Sequence, residues 1–255
     1  MSRTLIDVLR EICLGLPEVE EVPAHGMPDY RVNGKTFATL AINHHGDGHL
    51  AVWLKLPAGA QEHYTEREPR CFYVPPYVGP RGWLGVELDQ GLAWDRIAEL
   101  VRVAYEEVAP AALRSRMEKP VPVQPPTEDL DPEQIDPLAA PHAVALVERL
   151  RPFCLALPEV REVRQFGNPV WQAGKRTFCT VSRYERRLEV HGWVGKEQQA
   201  TLTFDERYRV PAYTGHNGWI ALNAEDGVMW EAVSTLVLGS YRHFALKRML
   251  AALDG

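Results

Sequence analysis

Residues 13–22 read CLGLPEVEEV and residues 154–163 read CLALPEVREV. One chain writes nearly the same ten letters twice, and the landmarks around them recur as well. Cys13, Pro17, Glu18 and Val19 answer to Cys154, Pro158, Glu159 and Val160, and Gly26 and Pro28 to Gly167 and Pro169, all at an offset of 141. Gly34-Lys35 answers to Gly174-Lys175. Further on, VPPYVGPRGW at 74–83 matches VPAYTGHNGW at 210–219, and Trp94, Ile97, Val101 and Tyr105 match Trp230, Val233, Val237 and Tyr241, now at an offset of 136. The drift shortens the middle of the second copy. Order, spacing and residue type agree over about a hundred residues, which identifies a duplicated structural unit.

A chain of 255 residues, 45% hydrophobic and 24% charged, has room for two such units, each with its own core. Between the copies lies EKPVPVQPPTEDLDPEQIDPLAAP, residues 118–141, with seven prolines and six acidic residues against one lysine. Proline favours extended backbone, so this stretch reads as a semi-rigid, solvated spacer that can still pack on a domain. The expected organisation is therefore domain 1 over 1–117, linker over 118–141 and domain 2 over 142–255. The apolar runs fall well short of the roughly 18 residues a membrane span needs, and MSRTLIDVLREI patterns as an amphipathic helix, not a secretory leader. A cytoplasmic protein without membrane contact is expected. Cys13, Cys71, Cys154 and Cys179 form no C-x-x-C pair and read as buried thiols.

Each copy opens with a helix. Thr4 and Asp7 form a capping-box pattern, and Leu5, Val8, Leu9, Ile12, Cys13 and Leu16 share one helical face up to Pro17. In copy two Leu146, Leu150, Phe153, Cys154 and Leu157 do the same, with Pro152 predicting a kink or restart. PDYRV and KTFATLAI flank Asn33-Gly34, a strong hairpin signal, and HLAVWLK follows as a third strand. A short helix near 58–67, a Pro-Tyr-Gly loop, the strand GWLGVEL and a helix from about 93 to 109 complete the unit. The fold class expected is α+β: two tandem α/β sandwich domains, each an antiparallel sheet with helices packed on one face.

The ordered set C-L-x-L-P-E-V, G-x-P, G-K-x-F, P-x-Y-x-G-x-x-G-W and a late tyrosine in the last helix resembles the MmcQ/YjbR family, in both copies and over everything except the spacer. That resemblance implies a CyaY-like (frataxin-like) fold and DNA binding through a double-wing arrangement of hairpins. Lys55 ends the third strand of copy one where copy two has Trp193, so a role requiring that lysine does not carry over to the second domain.

Charge tests the DNA reading independently. Residues 1–117 carry a net −4, the spacer −5 and residues 142–255 +3. Phosphate binding needs a basic face, which leaves domain 2 as the candidate. Its SRYERRLEV hairpin places Arg183, Tyr184, Arg186 and Arg187 around a turn, with Lys175 and Arg176 at the neighbouring one. These six side chains either contact phosphates and stack on a base, or form a solvated tip that blocks edge pairing.

Other candidates weigh differently. His44, His45, Asp47 and His49 in NHHGDGH are metal-capable, yet adjacent histidines on a strand point to opposite faces, so an exposed polar turn is expected and no metal. Tyr77 and Trp83, with Tyr213 and Trp219 in copy two, either close the core beneath a rigid loop or line a ligand groove with Lys55. Glu20 and Glu21 lack a partnered His, Ser or Cys, and Arg161 replaces Glu20 in copy two. No nucleophile elbow, phosphate loop or zinc signature is present, so a non-enzymatic binding protein without cofactor is expected. Its partner is DNA, or alternatively a drug- or metabolite-sized molecule in the aromatic groove, or a protein whose basic surface mates with the acidic first domain, a role the basic second domain could itself fill.

Overall fold

The structure, a computed structural model, describes residues 2–24 and 27–255. The repeat landmark Gly26 lies outside the described residues. Two compact units divide the chain, Met1–Ile135 and Asp136–Gly255, called domains 1 and 2 below.

Domain 1 begins with α1 (Leu5–Leu14), capped as its sequence predicts: the Thr4 side chain accepts from the Asp7 N–H and Asp7 bonds back to the Thr4 N–H. Then come β1 (Val19–Ala24), β2 (Met27–Val32), β3 (Lys35–Ile42), β4 (Leu50–Lys55), α2 (Ala60–Arg67), β5 (Phe72–Tyr73), β6 (Trp83–Glu87), α3 (Trp94–Val108) and α4 (Ala111–Arg114). The strands form one six-stranded antiparallel sheet in the order β1-β2-β3-β4-β6-β5. Alternation decides its faces. Val52, Leu54, Leu84, Val86 and Phe72 face α1 and α3 in the core, which Leu9, Cys13, Ile97, Val101 and Tyr105 complete. Trp53, Lys55, Trp83, Gly85, Glu87 and Tyr73 take the other face.

A short helix α5 (Pro132–Ile135) closes the spacer of domain 1. The spacer is mostly exposed and is tied to domain 1 at a few points. Thr127 and Glu128 donate to the Arg3 carbonyl at 2.8 and 3.2 Å, Val123 donates to Asp95 at 2.7 Å, and Leu130 is buried in the core. Sparse apolar residues and unpaired backbone N–H groups give an extended chain enough to hold it down.

Domain 2 repeats the plan: α6 (Pro141–Leu155), β7 (Val160–Gln165), β8 (Asn168–Ala173), β9 (Arg176–Tyr184), β10 (Arg187–Trp193), α7 (Lys196–Leu202), β11 (Tyr208–Arg209), β12 (Trp219–Asn223), α8 (Trp230–Phe244) and α9 (Lys247–Asp254). Its sheet order is β7-β8-β9-β10-β12-β11. Pro152 does not break α6, which is one continuous helix. In the last turn a proline removes only one helical hydrogen bond. The cysteines are all free thiols; Cys13, Cys154 and Cys179 are buried, whereas Cys71 is only half-buried.

The repeated LPEV turn has a structural job. The Tyr105 hydroxyl donates to the Pro17 carbonyl at 2.9 Å, and Tyr241 to Pro158 at 2.9 Å. Glu18 and Glu159 follow with left-handed φ of 55° and 54°. Each is then clamped by an arginine that follows the long closing helix of its own domain, Arg116 at 2.5 Å and Arg248 at 2.6 Å. Phe37 and Phe178 meet the same tyrosines edge-on, with ring centroids at 5.6 and 5.4 Å. The late tyrosine therefore ties the closing helix to the end of the first helix. Tyr241→Phe should destabilise domain 2 by about 1 kcal/mol, measured by urea unfolding, because it leaves the half-buried Pro158 carbonyl without its donor and keeps the ring packing.

The letters Gly-Lys, which match at an offset of 140, are out of step with the structure. Val32 pairs with Lys35 and Ala173 with Arg176, so Lys175 occupies the position of Gly34 and Arg176 that of Lys35. Both sheets carry a bulge just beyond, at Tyr30/Arg31 and Trp171/Gln172, and the buried phenylalanines return to the common register.

Candidate functional site

The six basic-hairpin residues do not form one surface. Lys175 and Arg176 lie at the start of β9 and the Tyr184–Arg187 turn at its far end, because successive turns of a meander alternate between sheet edges. Nine residues of strand put roughly 26 Å between them.

Arg183 also departs from expectation. Its side chain is 7% exposed, with Nη2 at 2.6 Å and Nε at 3.0 Å from Glu225, and Nη1 bonded to the Pro137 carbonyl. Glu225 accepts the Leu188 N–H at 2.7 Å as well, and His142 Nε2 lies at 3.3 Å. The Arg183 guanidinium, helped by the Leu188 N–H, holds the Glu225 carboxyl down to about 2. Strand alternation turns residue 183 inward relative to Tyr184, so Arg183 is a structural ion-pair partner. Tyr184, Arg186 and Arg187 remain exposed at the tip, where Glu185 and Arg186 hold φ of 50° and 58°. A two-residue hairpin turn requires that backbone, which normally selects Asn and Gly. Much of the positive charge of domain 2 is likewise paired internally: Arg151 with Glu162, Arg207 with Asp205, Arg209 with Glu189 and Arg242 with Asp254.

The denser constellation lies on the face of the domain 1 sheet opposite α1 and α3. His44 and His45 do not sit on a strand. They begin a 3₁₀ turn, His44–Gly46, in which Asn43 and His45 have φ of 49° and 56°. Left-handed backbone brings both rings to one side, with centroids 4.0 Å apart. His44 meets the buried Trp53 ring edge-on at 4.8 Å, and Tyr77 meets both histidines at 5.9 Å. Tyr77 is itself left-handed, with φ 61°, and 64% exposed. Trp53 Nε1 donates to the Tyr73 hydroxyl at 2.8 Å, and Tyr73 stacks on His49 at 4.1 Å. His49 Nδ1 in turn bonds the buried Glu87 carboxylate. Burial pushes the Tyr73 hydroxyl up and raises Glu87 above the usual carboxylate range, with His49 opposing. Because His49 is held by Tyr73 and Glu87, it does not join His44 and His45. No cluster of three metal-capable groups exists among the described residues.

Domain 2 places a carboxylate at the same rung of its sheet, from the other strand. Ala51 pairs with Glu87 in domain 1, and Glu189 pairs with Asn223 at the matching rung in domain 2. Burial raises the Glu189 carboxyl, but hydrogen bonds from His191 and Arg209 outweigh it and the net shift is downward. Ser182 Oγ and Glu189 both approach His191 Nε2, at 3.2 and 3.4 Å. A nucleophile relay needs hydroxyl and carboxylate on opposite ring nitrogens, so this is a polar network and not a triad.

The remaining groove residues separate. Lys55 Nζ bonds the Arg81 carbonyl at 3.0 Å beside Trp83, away from the histidines. Tyr213 is exposed, and Trp219 stacks on Phe244 at 5.8 Å. The Pro-Tyr-Gly loops are held from below by a glutamine in each copy. Gln61 donates to the Gly79 and Trp83 carbonyls at 2.9 and 2.5 Å, and Gln199 to Gly215 and Trp219 at 2.9 and 2.6 Å. Trp53, Tyr73, Glu87 and the two glutamines escaped the sequence reading. Only the glutamines left a signal, a repeat at an offset of 138 on the short helix.

Two tandem α+β units, each a six-stranded antiparallel sheet with helices, define a duplicated single-sheet module. The YjbR family model matches residues 14–107 and 155–243, and the chain belongs to that family. Among solved structures it is similar to Deinococcus radiodurans protein DR2400, with the family-model domain DUF419, at 21% identity and a TM-score of 0.37 over 49% of this chain and 96% of that one. No curated protein matches. No helix among the described residues is long and apolar enough to cross a membrane.

Proposed function

We propose that the chain is a non-enzymatic binding protein that holds a flat aromatic small molecule on the face of the domain 1 sheet opposite α1 and α3. The observation that carries this reading is the convergence of three left-handed non-glycine residues, Asn43, His45 and Tyr77, on one cluster of rings. Such backbone costs on the order of 1–3 kcal/mol per residue and concentrates where a surface is pre-shaped for a ligand. Tyr77 and the two imidazole rings form the aromatic cluster against which such a molecule would stack. A thermal-shift panel of flat heteroaromatic compounds tests it. A ligand is expected to raise the Tm with little dependence on salt, and the shift should vanish in Tyr77→Ala and His45→Ala while persisting in Arg186→Ala/Arg187→Ala. A panel without a hit, or a shift insensitive to Tyr77, removes the reading.

DNA binding is the second reading, supported by the exposed Tyr184, Arg186 and Arg187 at one hairpin tip. It predicts duplex affinity that falls with salt and is lost in Arg186→Ala/Arg187→Ala. Few phosphate contacts are available there, so the salt slope is small for a DNA-binding protein.

A further inference from the structure

The two copies diverge between the short helix and the closing helix. In domain 1 the groove between α2 and α3 is filled. The Arg96 guanidinium lies 5.9 Å from the Tyr64 ring and 5.5 Å from the Phe72 ring, and bonds Glu68 at 2.7 and 2.5 Å. Beside it the Asp95 carboxylate accepts the Val123 N–H at 2.7 Å, and the Val123 side chain packs on the core. A cation, an N–H donor and an apolar group thus occupy this place in domain 1.

Domain 2 does not repeat this arrangement: the guanidinium here is that of Arg207, which lies 5.9 Å from the Tyr208 ring and is paired with Asp205 at 2.6 Å. Helices α3 and α8 align from Trp94 and Trp230, which puts Ala232 at the position of Arg96, Gly239 at that of Val103 and Glu231 at that of Asp95. The Gln61 and Gln199 clamps align α2 with α7, which puts Leu202 at the position of Tyr64; Tyr208 stands where β5 has Phe72. A Cβ added at Gly239 would meet nothing within 4 Å. Glycine inside a helix is destabilising relative to alanine, so the open space comes at a cost to the helix. What remains is a cavity of about 400 Å³ bounded by Trp193, Leu202, Tyr208, Met229, Glu231 and Gly239. Arg207 on its rim is met by Asp205 at 2.6 Å, so the exposed Glu231 carboxylate sets the sign of the charge there.

We infer that this groove of domain 2 binds a small organic cation: a flat apolar body carrying an amidinium or ammonium group, with its N–H donors on Glu231 and its body against Tyr208 and Trp193. The ligand supplies what Arg96 and Val123 supply in domain 1. Aromatic faces and a carboxylate at the edge of an apolar slot favour such a cation over a neutral or anionic molecule of the same shape.

Benzamidinium and benzoate, alike in shape and opposite in charge, are the probes, titrated into the full chain by NMR and calorimetry. Benzamidinium is expected to bind saturably, and benzoate about tenfold more weakly or not at all. Ala232→Arg, which rebuilds the domain 1 arrangement, should abolish binding, as should Gly239→Val. Glu231→Gln should weaken it about threefold. Tyr77→Ala should leave it unchanged, which separates this site from the face of domain 1. Equal affinity for the two probes, no saturable binding, or binding that survives both Ala232→Arg and Gly239→Val would overturn the inference. So would a peptide copying residues 118–126 that saturates the groove when benzamidinium does not, since the occupant would then be a segment of chain.

Discussion

Arg183→Ala lowers the stability of domain 2 by about 3 kcal/mol, whereas Arg186→Ala and Arg187→Ala change it by less than about 0.5 kcal/mol. Three arginines within five residues of one hairpin differ because only the first is buried. Without Arg183, the Glu225 carboxylate keeps the Leu188 N–H but loses the cation that holds its carboxyl down to about 2. The effect has a pH signature. A depressed carboxylate stabilises the fold fully above its unfolded pKa, and that contribution disappears as pH falls through the folded one. The penalty of Arg183→Ala should therefore be complete above about pH 5 and shrink toward pH 2. Removing both partners, as in Arg183→Met/Glu225→Leu, should recover most of the loss. Hydrogen exchange of the β9 and β10 amides in the full chain reads all of these. A penalty for Arg183→Ala under about 1 kcal/mol, or one independent of pH, contradicts the pairing. A triple arginine substitution at this hairpin would confuse lost contact with lost structure, so DNA binding is best tested with Arg186 and Arg187 alone.

Gly85→Ala should cost domain 1 about 2–3 kcal/mol, although it adds a single methyl group. A Cβ at Gly85 would lie 2.4 Å from Cε1 of the Tyr73 ring. That ring cannot simply swing away. Its hydroxyl takes the Trp53 indole N–H, and its face lies against His49. Relief of the clash therefore breaks the hydrogen bond, the stack, or both, and releases the neighbouring Glu87 contact. Domain 2 shows the permitted alternative, with Ala221 paired with Arg209 in place of Gly85 with Tyr73. In a Tyr73→Ala background Gly85→Ala should cost almost nothing, and urea unfolding of the four members of this cycle measures the coupling. Additive costs would show that the ring and the glycine do not constrain each other.

The parts of the fold readable from sequence are those where one residue type has one physical use. Asn33-Gly34 gives the hairpin turn because both residues hold left-handed backbone. Thr4 with Asp7 gives the cap, and the Pro-Glu turn with its late tyrosine gives the duplicated frame. The edge strand β1 was illegible, since VEEVPA buries little and carries a proline that only an edge tolerates. The candidate sites were harder still. His44 and His45 read as strand residues on opposite faces until left-handed backbone at Asn43 and His45 put them together. Arg183 read as exposed because its partner Glu225 lies 42 residues away, where no local pattern reveals it. Trp53, Tyr73 and Glu87 come from three strands, and only the sheet register makes them neighbours.

The buried carboxylates Glu87 and Glu189, one in each sheet, suggest how such a duplicated protein diverges. The acid sits on β6 in one half and on the partner strand β10 in the other, yet occupies the same spot on the ladder. Column by column, an alignment of the halves would record a loss at each position and miss that the charge was handed across the rung. Relatives of this chain are therefore better compared by location on the sheet than by letter.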